Sequence, residues 1–316
     1  MTRVLYHAAA GPDLARRLAE VAGRSALHID ICAETDTARL AALLPETEVL
    51  WHVLTPCTAA MIGAAPKLRL IQKIGVGVNT IDLAAAAARG IPVCNLPGTN
   101  SQAVAEMTLL LMLAALRRLP LFDAAMRRGA GYALDPAAKD GLGELHGRTV
   151  GLVGYGAVPR ALVPMLRGLD CRLLYTARKP HPDARAEWRE LPDLLAQSDV
   201  VSLHVPLTES SARLIDGAAL ARMKPGAILV NTARGGLIDE PALIAALQSG
   251  HLAAAGLDVQ ADEPPPPDAP LLRAPNVVLS PHIAWISTGT YDRSFALAAE
   301  NCARLRSGRE LLNRVA

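Results

Sequence analysis

The sequence predicts an α/β protein with largely parallel sheets, and three observations carry that prediction. Short apolar runs alternate with amphipathic stretches along the whole chain, the pattern of strands covered on both faces by helices. The chain has 316 residues, which at about 150 per domain makes roughly two domains. Its composition is 51% hydrophobic and 20% charged, so enough apolar surface exists to offset chain entropy, and disorder is excluded.

In the first hundred residues the apolar runs predict strands at Arg3–His7, Leu27–Ile31, Val49–Val53 and Leu70–Ile74. Helices between them are expected to start near Pro12, Thr37 and Asp82. Asn100 to Arg118 reads as one long helix, with Asn100 or Ser101 placed to cap it. Its second half is apolar on nearly every face, so it is expected to be buried on both sides, one of them against a second subunit. Gly129 to Gly147 is rich in Gly, Ala and Asp and reads as a connecting loop. A second series follows, with strands near 150–153, 171–176, 199–203, 227–230, 253–257 and 277–279 and helices between them. Pro264–Pro267 is a stiff extended patch. A final helix, Ser287 to Ser307, has no strand after it.

The charges nearly cancel, 32 basic against 30 acidic for a net +2. No basic excess is available to neutralise phosphates, so nucleic acid is not an expected partner. With only 3 Trp, 5 Tyr and 2 Phe, there is no platform for stacking bases either. The strongest apolar run, Met107 to Leu116, falls well short of the roughly 20 residues a membrane span needs. The N-terminus lacks the apolar stretch of a secretion signal. Cys32, Cys57, Cys94, Cys171 and Cys302 are scattered, without a C-x-x-C pair. They are expected as buried thiols in a reducing compartment, with no metal site, in a cytoplasmic protein.

Chemistry first becomes legible at Thr149-Val-Gly-Leu-Val-Gly-Tyr-Gly-Ala-Val-Pro-Arg. Gly154-x-Gly156 joins a strand to a helix. Gly154 permits the tight turn, and Gly156, followed by Ala157 and Val158, lets backbone amides approach a pyrophosphate at the helix N-terminus. Pro159 stands where the third motif glycine belongs. In a first helical turn proline forfeits no intrahelical bond, whereas Pro164 is expected to kink the helix. A strand-to-helix turn uses glycine for structural reasons too. The order strand, turn, helix, strand is what favours a dinucleotide site. At the end of the next strand an NAD site places a carboxylate for the ribose hydroxyl. Here the strand ends Thr176-Ala177-Arg178-Lys179. Arg178 can fork onto a phosphate and Thr176 can bond its oxygens, so NADP(H) is favoured and NAD(H) stays possible. The plain alternative is two solvated basic residues at a strand end.

Four further stretches complete a pattern: Gly75-Val-Gly-Val-Asn-Thr-Ile-Asp82, Val230-Asn-Thr-Ala-Arg-Gly-Gly-Leu-Ile-Asp239, Ala255-Gly-Leu-Asp-Val-Gln-Ala-Asp-Glu-Pro264 and Leu279-Ser-Pro-His-Ile-Ala284. With the glycine turn, and over about residues 50 to 290, the chain resembles the D-isomer-specific 2-hydroxyacid dehydrogenases, which include glyoxylate/hydroxypyruvate reductases and phosphoglycerate dehydrogenases. The resemblance implies that Arg234, Glu263 and His282 are catalytic. Those residue types suit the reaction: a permanent cation for the carboxylate and carbonyl, an acid working near neutral pH, and a carboxylate to orient the imidazole.

The resemblance further implies that the Val76 and Gly77 amides hold the substrate carboxylate, with Arg234. It places Asp258 on the nicotinamide carboxamide, Thr232 and Ala233 beside the ring, and His204 and Pro206 on the adenosine side. Bland alternatives stand beside these: a glycine turn at 75–77, a turn cap at Asp258, a packed histidine at 204. The implied fold is two Rossmann-like or flavodoxin-like domains with the active site in the cleft between them. Residues 1–99 and 287–316 would form a discontinuous substrate domain, and residues 100–286 the dinucleotide domain. A homodimer joined through the helix near 100–118 is implied as well. The 19 residues between Glu263 and His282 are fewer than the family suggests, so a trimmed loop is expected there.

Thr-x-Arg after the second strand of the dinucleotide domain looks like that of NADPH-using glyoxylate/hydroxypyruvate reductases. The expected activity is therefore reduction of a small 2-oxo acid to its D-2-hydroxy acid. Phosphoglycerate dehydrogenase is disfavoured because many carry a further C-terminal domain, and phosphite dehydrogenase because it has lysine at the position of Val76. Two rival readings remain: a dinucleotide-sensing, corepressor-like binding protein, and an NAD-dependent dehydrogenase of a larger D-2-hydroxy acid.

Overall fold

The computed structural model describes residues 1–316, which divide into two compact units, Met1–Asn100 with Ile286–Ala316, and Ser101–Trp285. The first unit runs β1 (Thr2–His7), α1 (Pro12–Ser25), β2 (Leu27–Cys32), α2 (Thr37–Leu43), β3 (Val49–His52), α3 (Ala59–Gly63), β4 (Leu70–Lys73), α4 (Leu83–Ala88) and β5 (Val93–Cys94). All pairs are parallel, in the order β2-β1-β3-β4-β5. Side-chain caps start the helices where the sequence expects them: Asp36 accepts the Arg39 amide and Asp82 the Ala85 amide. The alternation of the strands sorts their faces. Leu5, Leu50 and Ile71 build one core with Met61 and Ile62 of α3. On the other face Trp51 stacks on Phe295, 5.7 Å between ring centres, and Tyr6 meets the same ring edge-on.

The second unit starts with α5 (Ser101–Leu116) and α6 (Leu119–Arg127). Its sheet strands are β6 (Thr149–Val153), β7 (Arg172–Thr176), β8 (Glu187–Trp188), β9 (Val200–Leu203), β10 (Ala227–Asn231), β11 (Leu252–Leu257) and β12 (Val277–Leu279). Between them lie α7 (Ala157–Gly168), α8 (Leu191–Gln197), α9 (Gly217–Arg222) and α10 (Glu240–Gln248). The parallel order is β12-β11-β10-β9-β6-β7-β8. The chain therefore reverses direction across the sheet between β6 and β9, the place where open α/β sheets bind ligands. Val150, Leu152 and Val230 pack beneath α5 and α7, while Val153, Val201 and Leu229 pack beneath α8, α9 and α10. Burial on both sides is why these strands read as unbroken apolar runs.

The last helix, α11 (Thr288–Ser307), is capped by Ser287, whose hydroxyl accepts the Thr290 amide. It belongs to the first unit. Buried Asn301 reaches the Gln72 side chain at 2.7 Å, and the tail beyond it pairs Val315 with Val93.

Helix α7 runs from Ala157 to Gly168 with Pro164 inside it, where proline donates no intrahelical bond. Helix α6, with Pro120 in its first turn, follows α5 after two residues. Within this chain α5 is buried on one side only, since Leu110 is 53% exposed and Leu113 37%. No helix is long and apolar enough to cross a membrane. All five cysteines are free and buried, and no cluster of His, Cys, Asp or Glu is arranged to hold a metal ion.

Candidate active site

In the second unit the glycine turn leaves β6 on one side of the sheet's reversal, and β9 ends on the other. Gly154 takes φ +102°, and a Cβ there would lie 2.7 Å from the His204 carbonyl oxygen. Only glycine fits so close to that backbone. Gly156 begins α7 with no side-chain cap and with open space around it. The first amides of the helix, at Ala157 and Val158, are thus left for an outside acceptor. Pro159 is buried in the first turn of α7. This cradle fits a dinucleotide pyrophosphate.

Beyond β7 the chain is pinned by aromatic side chains. The Tyr175 hydroxyl accepts the His181 amide at 2.7 Å, the Tyr155 hydroxyl accepts the Arg185 amide at 3.0 Å, and the Trp188 indole donates to the Ala177 carbonyl. Thr176 ends β7, half-buried, with its carbonyl accepting the Gly154 amide. Arg178 and Lys179 are exposed on this pinned segment and form no ion pair. Arg160, by contrast, is bound to Asp183 and lies over the Tyr155 ring.

His204 behaves as a packed residue. Its Nε2 pairs with the Ser202 hydroxyl at 2.9 Å, and burial pushes its pKa down to about 3, so the ring stays neutral. Its neighbour Pro206 is exposed, with its carbonyl accepting the Ser211 hydroxyl.

Arg234 follows β10 through a turn tied by Asn231. The Asn231 side-chain oxygen accepts the Ala233 amide and its nitrogen donates to the Arg234 carbonyl, at 2.9 and 2.8 Å. Thr232 bonds Thr108 of α5, hydroxyl to hydroxyl, at 2.9 Å. Burial lowers the pKa of Arg234 against the pull of the Glu263 charge, yet a guanidinium stays charged throughout the working range.

Glu263 and His282 meet directly: Nδ1 of the ring lies 2.6 Å from Oε2 of the carboxylate. Burial pushes Glu263 up, but the His282 hydrogen bond and charge, the Gln260 amide and the Arg234 charge outweigh it. The carboxyl is held below its ordinary range. An ionised Glu263 accepts a hydrogen bond from Nδ1–H, which leaves Nε2 as the nitrogen for proton exchange.

His282 sits at φ +54°, a left-handed conformation that costs a non-glycine residue about 1–2 kcal/mol. Asp258 is what holds it there. The His282 amide donates to the Asp258 carbonyl at 2.7 Å. Its buried carboxylate accepts the Ser280 hydroxyl at 2.6 Å and the amides of Ile283 and Ala284 at 3.0 and 2.8 Å. Burial raises the pKa of Asp258 against these bonds. Gln260 ties the two halves: its amide donates to Glu263 and its side chain to the Ser280 carbonyl.

Sequence reasoning passes over Gln260, Ser280, Asn231 and Gly235. Asn231 alone has a local signal, an Asn two residues before the amide it binds. Arg234, Glu263 and His282, 48 residues apart at the extremes, are brought to one edge of the sheet in this unit.

Val76 and Gly77 lie in the first unit, in the loop leaving β4. Gly75 takes φ +148°. The carbonyls of Gly75 and Val76 are taken by the Leu96 amide and the Asn95 side chain, both at 2.8 Å. The Val76 and Gly77 amides donate to no group of the protein, and Val76 is 43% exposed. Such amides suit a carboxylate.

Residues 109–284 match the profile of the D-isomer specific 2-hydroxyacid dehydrogenase NAD binding domain. The chain is 41% identical over 269 residues to a glyoxylate reductase of Korarchaeum cryptofilum, covering 83% of this chain and 81% of that protein. It is 38% identical to a D-3-phosphoglycerate dehydrogenase of Mycobacterium bovis over 84% of its own length, but it spans only 50% of that relative. The solved structure of the TT0316 protein from Thermus thermophilus superposes with a TM-score of 0.89 at 37% identity, with both chains fully covered. The profile match takes in the glycine turn and all three of Arg234, Glu263 and His282; the chain belongs to the D-isomer specific 2-hydroxyacid dehydrogenases and is an oxidoreductase that works with a nicotinamide dinucleotide.

Proposed function

We propose that this enzyme reduces a small 2-oxo acid to the D-2-hydroxy acid with NADPH. The observation that carries the proposal is the 2.6 Å His282–Glu263 pair beside the buried charge of Arg234. When bound, the nicotinamide supplies a hydride. Arg234, with the Val76 and Gly77 amides, holds the substrate carboxylate and polarises the carbonyl. His282, charged before the step, delivers its Nε2 proton to the carbonyl oxygen as negative charge develops there and is left neutral, while Glu263 stabilises the imidazolium beforehand and fixes the ring's orientation throughout. Asp258 fixes the His282 backbone and is also assigned the nicotinamide carboxamide. Thr232 and Ala233 are assigned to the ring's flank, and Gly154, Gly156, Ala157 and Val158 to the pyrophosphate. Initial rates of NADPH oxidation at 340 nm with glyoxylate, hydroxypyruvate and pyruvate test the proposal; silence with every acid overturns it.

The preference for NADPH rests on Arg178, exposed, unpaired and carried on a segment that Tyr155, Tyr175 and Trp188 hold in place. No carboxylate follows Thr176 to repel a ribose phosphate. A forked, charge-assisted contact contributes about 1.5–3 kcal/mol. Arg178→Ser is therefore expected to raise the KM for NADPH by about 10- to 100-fold and to leave NADH kinetics nearly unchanged. Equal effects on both cofactors would remove Arg178 from the phosphate.

A homodimer is proposed on the apolar residues this chain leaves bare. Leu110 and Leu113 of α5, Leu119, Leu121 and Met126 of α6, and Tyr132, 94% exposed, all lie close in sequence. A second copy is the occupant that fits, because nothing charged interrupts the outer side of α5 between Thr108 and Leu116. Leu110→Glu combined with Leu113→Glu is expected to convert a dimer to a monomer in light scattering, with the two units still folded by circular dichroism.

A further inference from the structure

The strands of the first unit end in a row of buried polar side chains. His7 is the last residue of β1, His52 of β3 and Lys73 of β4. They are register partners: His7 pairs with His52, and His52 with Lys73. Adjacent strands stand about 4.8 Å apart, so the three side chains rise side by side from one sheet face. That face is the one opposite Trp51 and Tyr6, whose rings turn to Phe295. His7 is 2% exposed, His52 0% and Lys73 4%.

The hydrogen bonding of the two imidazoles is incomplete. Neither ring nitrogen of His7 has a partner, nor has Nδ1 of His52. The remaining nitrogen of His52 meets the Thr55 carbonyl at 2.7 Å, and the Lys73 ammonium donates to the Val53 carbonyl. Buried polar atoms are nearly always hydrogen-bonded, and three unpartnered ones in one row mark a place that an incoming polar group would complete. The position points the same way. In the order β2-β1-β3-β4-β5 the chain reverses between β1 and β3, and open parallel sheets take ligands beyond the carboxyl ends of the strands at that reversal. The loop that leaves Lys73 carries the unpartnered Val76 and Gly77 amides.

Resting on the reading of those amides as the carboxylate donors, we infer that His7, His52 and Lys73 form a second anion subsite, which selects 2-oxo acids carrying a further acidic group at the far end. The Lys73 charge attracts the anion, the imidazoles donate or accept hydrogen bonds to it, and the surrounding burial strengthens each contact. Burial lowers the pKa of both rings, with the Lys73 charge adding to the effect on His52 and the Glu34 charge opposing it on His7. The row is therefore neutral imidazole beside one cation, and the Glu34 carboxylate, tied to the Ala9 amide, is the negative charge that acts on its His7 end. A free carboxylate and a phosphate share this chemistry.

The test compares oxaloacetate, 3-phosphohydroxypyruvate and pyruvate as substrates of the intact enzyme with NADPH. At least one diacid is expected to exceed pyruvate tenfold in kcat/KM, and which one does so separates carboxylate from phosphate. His7→Leu and His52→Leu should each raise the KM of the favoured diacid at least tenfold while pyruvate kinetics stay within twofold. Equal rates on all three acids, or equal losses on all three in the variants, overturn the inference. A second measurement avoids both folding of the variants and turnover: imidazole nitrogen resonances of His7 and His52 in the wild-type chain, titrated with malonate and with acetate. Movement with malonate alone supports the subsite, and no movement overturns it. Should no acid be reduced while malonate still moves both rings, the proposed reaction falls and the anion subsite stands.

Discussion

Replacing His282 by glutamine lowers turnover of the preferred 2-oxo acid by about 10²–10⁴-fold, the range that positioned acid–base groups contribute, while cofactor affinity stays as it was. The expectation follows from how the ring is held. Nδ1 is committed to Glu263 at 2.6 Å, and the backbone is fixed at φ +54° by the Asp258 bonds to its neighbours. Glutamine can keep a hydrogen bond to Glu263, but it offers no proton that can be transferred and regained near neutral pH. Stopped-flow measurement of single turnovers separates this loss from product release. Turnover within a few-fold of wild type would assign the proton to another group.

Acid does not break the pair early. The folded-state pKa of Glu263 lies below its ordinary value. The stability it lends is thus fully present above the unfolded value of about 4.3 and is lost only as pH falls through the lower folded one. A decline in rate between pH 7 and pH 5 would therefore have a source other than protonation of Glu263.

Much of this is legible in the amino-acid order because parallel strands buried on both faces leave unbroken apolar runs. β6, β9 and β10 are each an apolar run bounded by polar or turn-forming residues, so their existence is plain from the sequence. β8 is silent for the opposite reason. It is a two-residue edge strand, Glu187–Trp188, whose glutamate is spent on Arg172 and Arg189, and such a pair carries no periodicity. The catalytic residue types are legible through their spacing. Their supports are not, because Gln260 and Ser280 act only through contacts that the fold creates. The row of His7, His52 and Lys73 is hidden for the same reason. Each is a polar residue at the end of its strand, and only strand register sets the three side by side.

Gly235 is where the second large effect is expected. It follows Arg234 directly, and a Cβ added there would fall 1.8 Å from the Gln260 carbonyl oxygen, 2.0 Å from its carbon and 2.6 Å from the Ala261 nitrogen. Backbone cannot rotate away as a side-chain tip can, so Gly235→Ala must drive segment 260–261 and the turn at 234 apart. Both ends matter to the chemistry. The Gln260 amide donates to Glu263 at 3.1 Å, Glu263 orients His282, and Arg234 sits on the opposing turn. A displacement of about 1 Å in a catalytic group can cost about 100-fold, and here two groups move in opposite directions. The alanine variant is expected to lose at least that much in kcat/KM. It should also lose about 3 kcal/mol of stability, the upper range for overpacking, which corresponds to a Tm lower by about 6–12 °C for a unit of this size. Calorimetry and initial rates on one sample check both. A variant with wild-type Tm and rate would mean that the 234–235 and 260–261 backbones do not lie against each other, and the placement of Arg234 beside Glu263 would go with that contact.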